Sequence, residues 1–201
     1  MTRRIFAAVT ALALAFGLAA CTGENDDLAD TYRKGNNQGF ISGDGRVTEI
    51  AEADRGDAVE FSGTAVDGST ISSADYAGEV LVINFWYAQC GPCRAEAPIL
   101  EDVHTSTSEA GANFLGVNIY DGPEQAASFD ETYGITYPSI LARGDVDLKL
   151  AFADWTSLQA APTTLVLDKQ GRVAASIFGQ VTPASKSIFE TLVEDALEEQ
   201  S

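Results

Sequence analysis

The fold of this chain is decided by the stretch Asn84-Phe85-Trp86-Tyr87-Ala88-Gln89-Cys90-Gly91-Pro92-Cys93-Arg94-Ala95-Glu96-Ala97-Pro98. The apolar, β-branched run that leads into it, residues 80–83, predicts a buried strand. The apolar residues that follow it, at 99, 100 and 103, have helical spacing. A thiol at the N-terminus of a helix is favoured as thiolate by unpaired backbone N–H groups and by the helix dipole. The second cysteine, one turn further on, is placed to close a disulfide with the first. The stretch therefore predicts a thiol–disulfide redox site.

Two other interpretations of the cysteine pair are weaker. A zinc site needs two more Cys or His ligands, and the chain offers only Cys21 and His104. A purely structural disulfide that closes so small a loop adds little stability. His104 is also excluded as a base for the thiols, because a regular helix places it roughly 16 Å from Cys93 along the axis.

The composition is that of one globular domain with extensions. The 201 residues include 12 Lys plus Arg and 30 Asp plus Glu, giving a formal net charge of −18. Nucleic acids and anionic lipid surfaces bind basic patches, so we expect no nucleic-acid partner and interpret the acidity as a source of solubility. Three cysteines are too few for a disulfide framework.

The N-terminus has the pattern of a targeting segment. Arg3 and Arg4 precede an apolar run that ends at Ala20 and is short for a membrane span. The tetrapeptide Leu18-Ala19-Ala20-Cys21 resembles a bacterial lipobox, which predicts a signal peptide at 1–20 and a diacylglyceryl group on Cys21. The alternative is an ordinary secretory signal followed by an unrelated cysteine. Removal of residues 1–20 would leave 10 basic and 30 acidic residues, a net charge of −20.

The polar segment that follows predicts a flexible tether over residues 21–56. Within it, residues 47–50 are apolar enough to pair at a sheet edge or to dock on the domain, and the sequence does not decide between these. The folded domain is predicted at 57–201. Near its start, Asp67-Gly68 between extended segments indicates a β-hairpin.

The remaining pattern predicts an α/β fold. A second buried strand is expected at 114–119, a helix at 124–133, a short extended piece at 137–141 and a short helix at 146–152. A hairpin of strands at 161–168 and 172–178 and an amphipathic helix at 185–199 complete the chain. The β-α-β part implies parallel pairing and the final hairpin implies antiparallel pairing. We therefore predict a central mixed β-sheet flanked by helices, with an N-terminal β-hairpin extension.

A second candidate element of the site is Ala161-Pro162. Proline at the start of a buried strand removes a hydrogen-bond donor and is unusual there. A cis X–Pro bond can present the preceding backbone to a neighbouring site. The residues alone leave the cis and trans alternatives open.

The pattern resembles a known family. The resemblance is carried by Phe85-Trp86, by the run from Cys90 to Pro98, by Ala161-Pro162-Thr163-Thr164 and by Gly171-Arg172-Val173. These residues are similar to those of the thioredoxin superfamily, and within it to the TlpA/ResA-like membrane-anchored thiol–disulfide oxidoreductases. The resemblance extends over about residues 57–200 and implies a thioredoxin fold.

The same resemblance implies roles for individual residues. It makes Cys90 the attacking thiol and Cys93 the resolving thiol, within the Trp86…Cys90-Gly91-Pro92-Cys93 motif. It also implies that Pro162 is a cis-proline beside the disulfide and that the Ala161 backbone holds an extended substrate. No cofactor other than the redox-active disulfide is expected, and no metal.

Two positions depart from the family pattern, and a third residue is a candidate to compensate for one of them. Gln89 stands before the first cysteine where an aromatic residue is common. Asn84 occupies the position of a buried aspartate in thioredoxin, and it cannot accept a proton. ResA-like proteins place an acidic residue after the next strand, so Asp121 is a candidate proton acceptor for Cys93; the alternative is an N-cap or turn aspartate.

The sequence therefore predicts an extracytoplasmic, lipid-anchored thiol–disulfide oxidoreductase at the cell membrane. The resemblance implies a membrane thiol-electron donor and disulfide-containing extracytoplasmic clients such as apocytochrome c. The alternative from another functional class is a soft-metal module that binds Cu(I) through the two thiolates. A peroxidase is less favoured, because no threonine precedes the cysteine at the spacing that peroxidases use.

Overall fold

The computed structural model describes residues 47–156 and 160–199. Its strands are β1 (Val47–Glu49), β2 (Ser62–Thr64), β3 (Thr70–Ser72), β4 (Val80–Trp86), β5 (Ala112–Asn118), β6 (Ser139–Leu141), β7 (Thr163–Leu167) and β8 (Val173–Phe178). Its α-helices are α1 (Gly91–Thr107), α2 (Pro123–Tyr133), α3 (Val146–Ala151) and α4 (Lys186–Glu198). The predicted signal peptide and Cys21 lie outside the described residues. No helix within the described ranges is long and apolar enough to cross a membrane.

The central sheet is mixed, as the sequence predicts. Its six strands are ordered β1-β8-β7-β4-β5-β6. Strand β5 pairs in parallel with both β4 and β6, whereas β7 is antiparallel to β4 and to β8. The predicted hairpin is formed by β2 and β3, which pair separately from the main sheet, and Gly68 at its turn has φ +87°. Glycine adopts this left-handed conformation without the steric cost that a Cβ would add.

Strand β4 lies at the centre of the sheet, and all seven of its residues are buried. Successive side chains point to opposite faces, so Val80 and Val82 pack with α1 and α4, while Leu81, Ile83 and Phe85 pack on the other face. That second face is covered by α3 and by the segment around the hairpin, through Leu148 and Phe61 among others. A strand buried on both faces requires the continuous apolar run that marks it in the sequence.

The N-terminal boundary differs from the prediction. Strand β1 pairs antiparallel with β8, and the Ile50 N–H donates to the Ala174 carbonyl at 2.7 Å. Arg55, whose side chain is 4% exposed, then bonds Asp168 in the β7–β8 turn and Glu199 after α4. Val47 is buried against the core, so residues 47–56 belong to the folded domain, and of the two alternatives left open for 47–50 the structure shows pairing at a sheet edge. The predicted tether over 21–56 is wrong for its last ten positions, 47–56.

Candidate active site

The site is built where β4 ends and α1 begins. Cys90 is the N-cap of α1, and Pro92 lies in the first turn, where its missing N–H leaves no intrahelical bond unmade. The Sγ atoms of Cys90 and Cys93 are 2.01 Å apart, and the two Cα atoms are 5.2 Å apart. The cysteines thus form the disulfide that their spacing predicts.

The helix N-terminus stabilises negative charge on the first sulfur. The Cys93 N–H donates to Cys90 Sγ at 3.0 Å. A backbone donor aimed at this atom, together with the helix dipole, favours the thiolate form of Cys90 after reduction. Cys90 is therefore electrostatically suited to be the attacking sulfur.

The disulfide lies below the protein surface. Each cysteine is 2% exposed, whereas Gln89, Gly91 and Pro92 beside it are exposed. The inner side is an apolar cluster that holds both cysteines together with Trp86, Ala97, Ala126 and Phe129. The Trp86 and Phe129 rings stack with centroids 4.2 Å apart. A client must therefore approach from the side of Gln89 and Pro92.

The Ala161–Pro162 bond is cis, as the resemblance implies. Phe85 pairs with Thr163 across β4 and β7, so Pro162 lies level with Trp86 at the end of β4. Ala161 packs against the cluster that contains both cysteines. The two elements that are distant in sequence, the cysteine motif and Ala161-Pro162, are thus brought together.

Asp121 holds the loop that precedes Cys90. Its Oδ2 accepts hydrogen bonds from the Ala88 N–H at 2.6 Å and from Asn118 Nδ2 at 2.9 Å. The N-cap of α2 is Gly122, so the alternative of an N-cap role for Asp121 is wrong. The two hydrogen bonds hold the Ala88 backbone and the Asn118 side chain in place beside the site. The role of Asp121 as proton acceptor for Cys93 stays a prediction.

A buried carboxyl that the sequence analysis missed lies on α1. Glu96 is fully buried, and its oxygens accept from Asn84 Nδ2 at 2.9 Å and from the Val181 N–H at 2.7 Å. Burial raises the pKa of Glu96 to about 7, although the two donors act in the opposite direction. Glu96 is one helical turn after Cys93, and residues three apart share a face of a helix. Leu100 and Val103 lie on the same face of α1 as Cys93 and Glu96. An acidic residue on this otherwise apolar face is the signal that could have identified the buried carboxyl.

Asn84 takes part in this arrangement as a donor. Its Nδ2 also donates to Thr164 Oγ1 at 3.1 Å, which joins β4 to β7 below the disulfide. Asn84 is thus hydrogen-bonded to a buried carboxyl on the neighbouring helix. In the described part of the chain, no three His, Cys, Asp or Glu side chains are grouped so that they could hold a metal ion.

An open groove of about 330 Å³ lies beside the motif, between the start of α1 and helix α2. Its walls include Gln89, Arg94, Glu124 and Tyr133. Nearby, Tyr120 is 50% exposed and its ring meets that of Tyr87 edge-on, with centroids 5.2 Å apart. These groups form the exposed surface beside Cys90.

Comparison with known proteins agrees with this geometry. The AhpC/TSA family model matches residues 55–176. The thiol-disulfide oxidoreductase ResA of Geobacillus kaustophilus is 30% identical over 125 residues, which cover 62% of this chain and 69% of that protein. The ResA protein of Bacillus subtilis is 26% identical over 126 residues, covering 63% and 68% of the two chains.

The solved structures most useful for comparison include a secreted thiol-disulfide isomerase from Corynebacterium glutamicum. Its TM-score is 0.70 at 30% identity, covering 80% of this chain and 97% of that one. These matches confirm the thioredoxin fold and the resemblance to ResA-like proteins that the motifs indicate. The chain belongs to the AhpC/TSA family, and it is a ResA-like thiol–disulfide oxidoreductase.

Proposed function

We propose that this oxidoreductase works outside the cytoplasm, anchored to the membrane by a lipid on Cys21, and reduces disulfides in secreted or membrane proteins. The observation that carries the redox step is the Cys93 N–H donating to Cys90 Sγ at the start of α1. The lipobox-like sequence before Cys21 supports the anchor. The Cys-Gly-Pro-Cys motif favours the reducing direction.

In this reaction the Cys90 thiolate attacks one sulfur of a client disulfide, and the other client sulfur leaves as a thiolate. Cys93 then attacks Cys90 Sγ, which forms the Cys90–Cys93 bond and breaks the bond from Cys90 to the client. The client gains two electrons and is released as two thiolates, which take up protons from the solvent, and the enzyme is left oxidised. The Ala161 backbone, level with the end of β4, is suited to hold the client segment in an extended conformation.

The enzyme must then be reduced again. Extracytoplasmic compartments are oxidising, so electrons have to come across the membrane from a thiol-electron donor. Apocytochrome c is one client of suitable chemistry, since its paired cysteines must be reduced before haem attaches.

The client step is tested by trapping. In Cys93→Ser, Cys90 can attack but the mixed disulfide cannot be resolved, so covalent adducts should accumulate in cells and disappear on treatment with dithiothreitol. Cys90→Ser is the matched control and should trap nothing. Absence of adducts, together with failure of the unmodified enzyme to reduce a model disulfide, would contradict the proposal and leave the soft-metal alternative.

The anchor is tested separately. Cys21→Ser should move the protein from the membrane fraction to the soluble extracytoplasmic fraction and abolish incorporation of labelled fatty acid. A protein that stays in the membrane fraction without Cys21 would contradict lipid anchoring but leave the redox step unaffected.

A further inference from the structure

A small cavity lies on the inner side of the disulfide. Its volume is about 10 Å³, and it is bordered by Cys93, Trp86, Asn84, Asp130, Tyr137 and Ser139 among others. A volume of this size is about the least that holds one water molecule, which also needs two to four polar partners.

Two of the residues that border the cavity supply such partners. Asp130 Oδ1 and Ser139 Oγ are buried, and neither has a hydrogen-bond partner among the described residues. More than nine in ten buried polar groups in proteins are paired, with protein atoms or with ordered water. Two unpaired oxygens that border one cavity of this size can therefore serve as polar partners for one water molecule.

The walls of the cavity are fixed by the sheet. A Cβ added at Gly116 on β5 would lie 2.1 Å from Ser139 Oγ and 2.7 Å from Trp86 Nε1. Only glycine allows these two side chains to approach the strand so closely. On the opposite wall, Trp86 stacks on Phe129, the residue before Asp130. The positions of Ser139 and Asp130 relative to Cys93 thus depend on packed elements rather than on a loop.

No ionisable group among the described residues forms a hydrogen bond with the unpaired Oδ1 of Asp130. Glu96 on α1 is bound by Asn84 and Val181, and Glu101 on α1 is bound by Thr136. Tyr137 is buried among these carboxyls, which together with burial raise the pKa of its phenol, and His104 on α1 packs edge-on against its ring. Burial raises the pKa of Asp130 to about 6. Asp130 can therefore exchange a proton near neutral pH.

We propose that Asp130, through one water held with Ser139, accepts the proton of the Cys93 thiol when Cys93 resolves the mixed disulfide. The inference rests on the proposed redox function and adds the route of its proton. The proton moves from Cys93 Sγ to the water, which passes one to Asp130. Cys93 Sγ bonds to Cys90 Sγ, and the client sulfur leaves with the electron pair of its broken bond. When the disulfide is next reduced, the proton returns to Cys93 along the same path.

The test separates the two chemical steps in one experiment. The reduced full chain is mixed with 5,5′-dithiobis(2-nitrobenzoate) in a stopped-flow spectrometer. The first thionitrobenzoate released reports attack by Cys90, and the second reports resolution by Cys93. In Asp130→Asn, the second release should slow by about 10-fold or more at pH 7.5, in line with the loss of a general base, while the first is unchanged. The inflection near pH 6 in the rate of the second release should disappear.

Two variants complete the experiment. Glu131→Gln removes one charge at the exposed neighbouring position and should leave both releases and the pH profile unchanged. Ser139→Ala should slow only the second release, and it tests the same path if Asp130→Asn does not fold. Equal slowing of both releases, or an unchanged second release with the inflection retained, would overturn the inference. No release from the unmodified enzyme would instead overturn the proposed function.

Discussion

The buried carboxyl of Glu96 should make the free energy of unfolding depend on pH. Its pKa is raised to about 7 from an ordinary value of 4.5. The folded state therefore holds this proton more tightly than the unfolded state. Stability from this group is fully present below pH 4.5 and is lost as the pH rises through 7. A shift of this size corresponds to about 3 kcal/mol in the free energy of unfolding.

The substitution Glu96→Gln replaces the carboxyl by a neutral group of the same shape. Near pH 4 the variant should be less stable than the unmodified protein, because Asn84 Nδ2 and the Val181 N–H both donate to the carboxyl. The hydroxyl oxygen of the protonated acid can still accept one of these hydrogen bonds, whereas the amide nitrogen cannot. Between pH 4 and pH 8 the difference in the free energy of unfolding should move by about 3 kcal/mol in favour of the variant, since the variant has no charge to keep buried.

The measurement is urea unfolding of both oxidised proteins at half-unit intervals from pH 4 to pH 8. The difference between their free energies of unfolding cancels every other group that titrates, Asp130 included. Glu109→Gln, at an exposed position after α1, is the control and should run parallel to the unmodified protein. If the Glu96→Gln difference is also flat with pH, the reasoning is refuted.

Two further substitutions test the walls of the site. Asp121→Asn leaves the Ala88 and Asn118 donors with one amide oxygen in place of a carboxylate, and it should lower the free energy of unfolding by about 2 kcal/mol. A shift in the pH profile of Cys93 resolution would support the proton-acceptor role of Asp121, whereas an unshifted profile would restrict Asp121 to holding the loop. Gly116→Ala should destabilise the protein by about 2 kcal/mol or more and change the fluorescence of Trp86, because the new Cβ would clash with Ser139 Oγ and Trp86 Nε1. In the control Gly91→Ala the Cβ would meet nothing within 4 Å, so the free energy of unfolding should change little. Similar losses of stability in both variants would contradict the steric argument.

The central architecture could be predicted because its signals are local. Strand β4 is a continuous apolar run, and α1 begins at a proline-containing turn with apolar residues at helical spacing. Neither depends on knowing which partner each element packs against. The parallel pairing of β4 with β5 follows from the helix that connects them, and the antiparallel pairing of β7 with β8 follows from the short turn between them.

The parts that could not be predicted depend on contacts distant in sequence. Strand β1 is three residues long and forms only because the edge of β8 accepts it. The apolar residues at 47–50 allow edge pairing, but a segment this short does not by itself separate an edge strand from a docked linker. Glu96 is an acidic residue early in a helix, which commonly indicates a favourable interaction with the helix dipole. Its burial depends on Asn84 and Val181, which approach it from β4 and from the segment before α4.

The groups that face a client and the groups that can exchange protons lie on opposite sides of the disulfide. The surface that faces a client carries the exposed Gln89, with the Tyr87–Tyr120 pair nearby. The inner side carries Glu96 and Asp130, two carboxyls whose pKa values burial raises toward neutrality. In the proposed mechanism the proton of Cys93 is exchanged on the inner side, which a client does not touch. It follows that substitutions of Gln89 or Tyr120 should change which clients react, while substitutions on the inner wall should change how each reaction depends on pH.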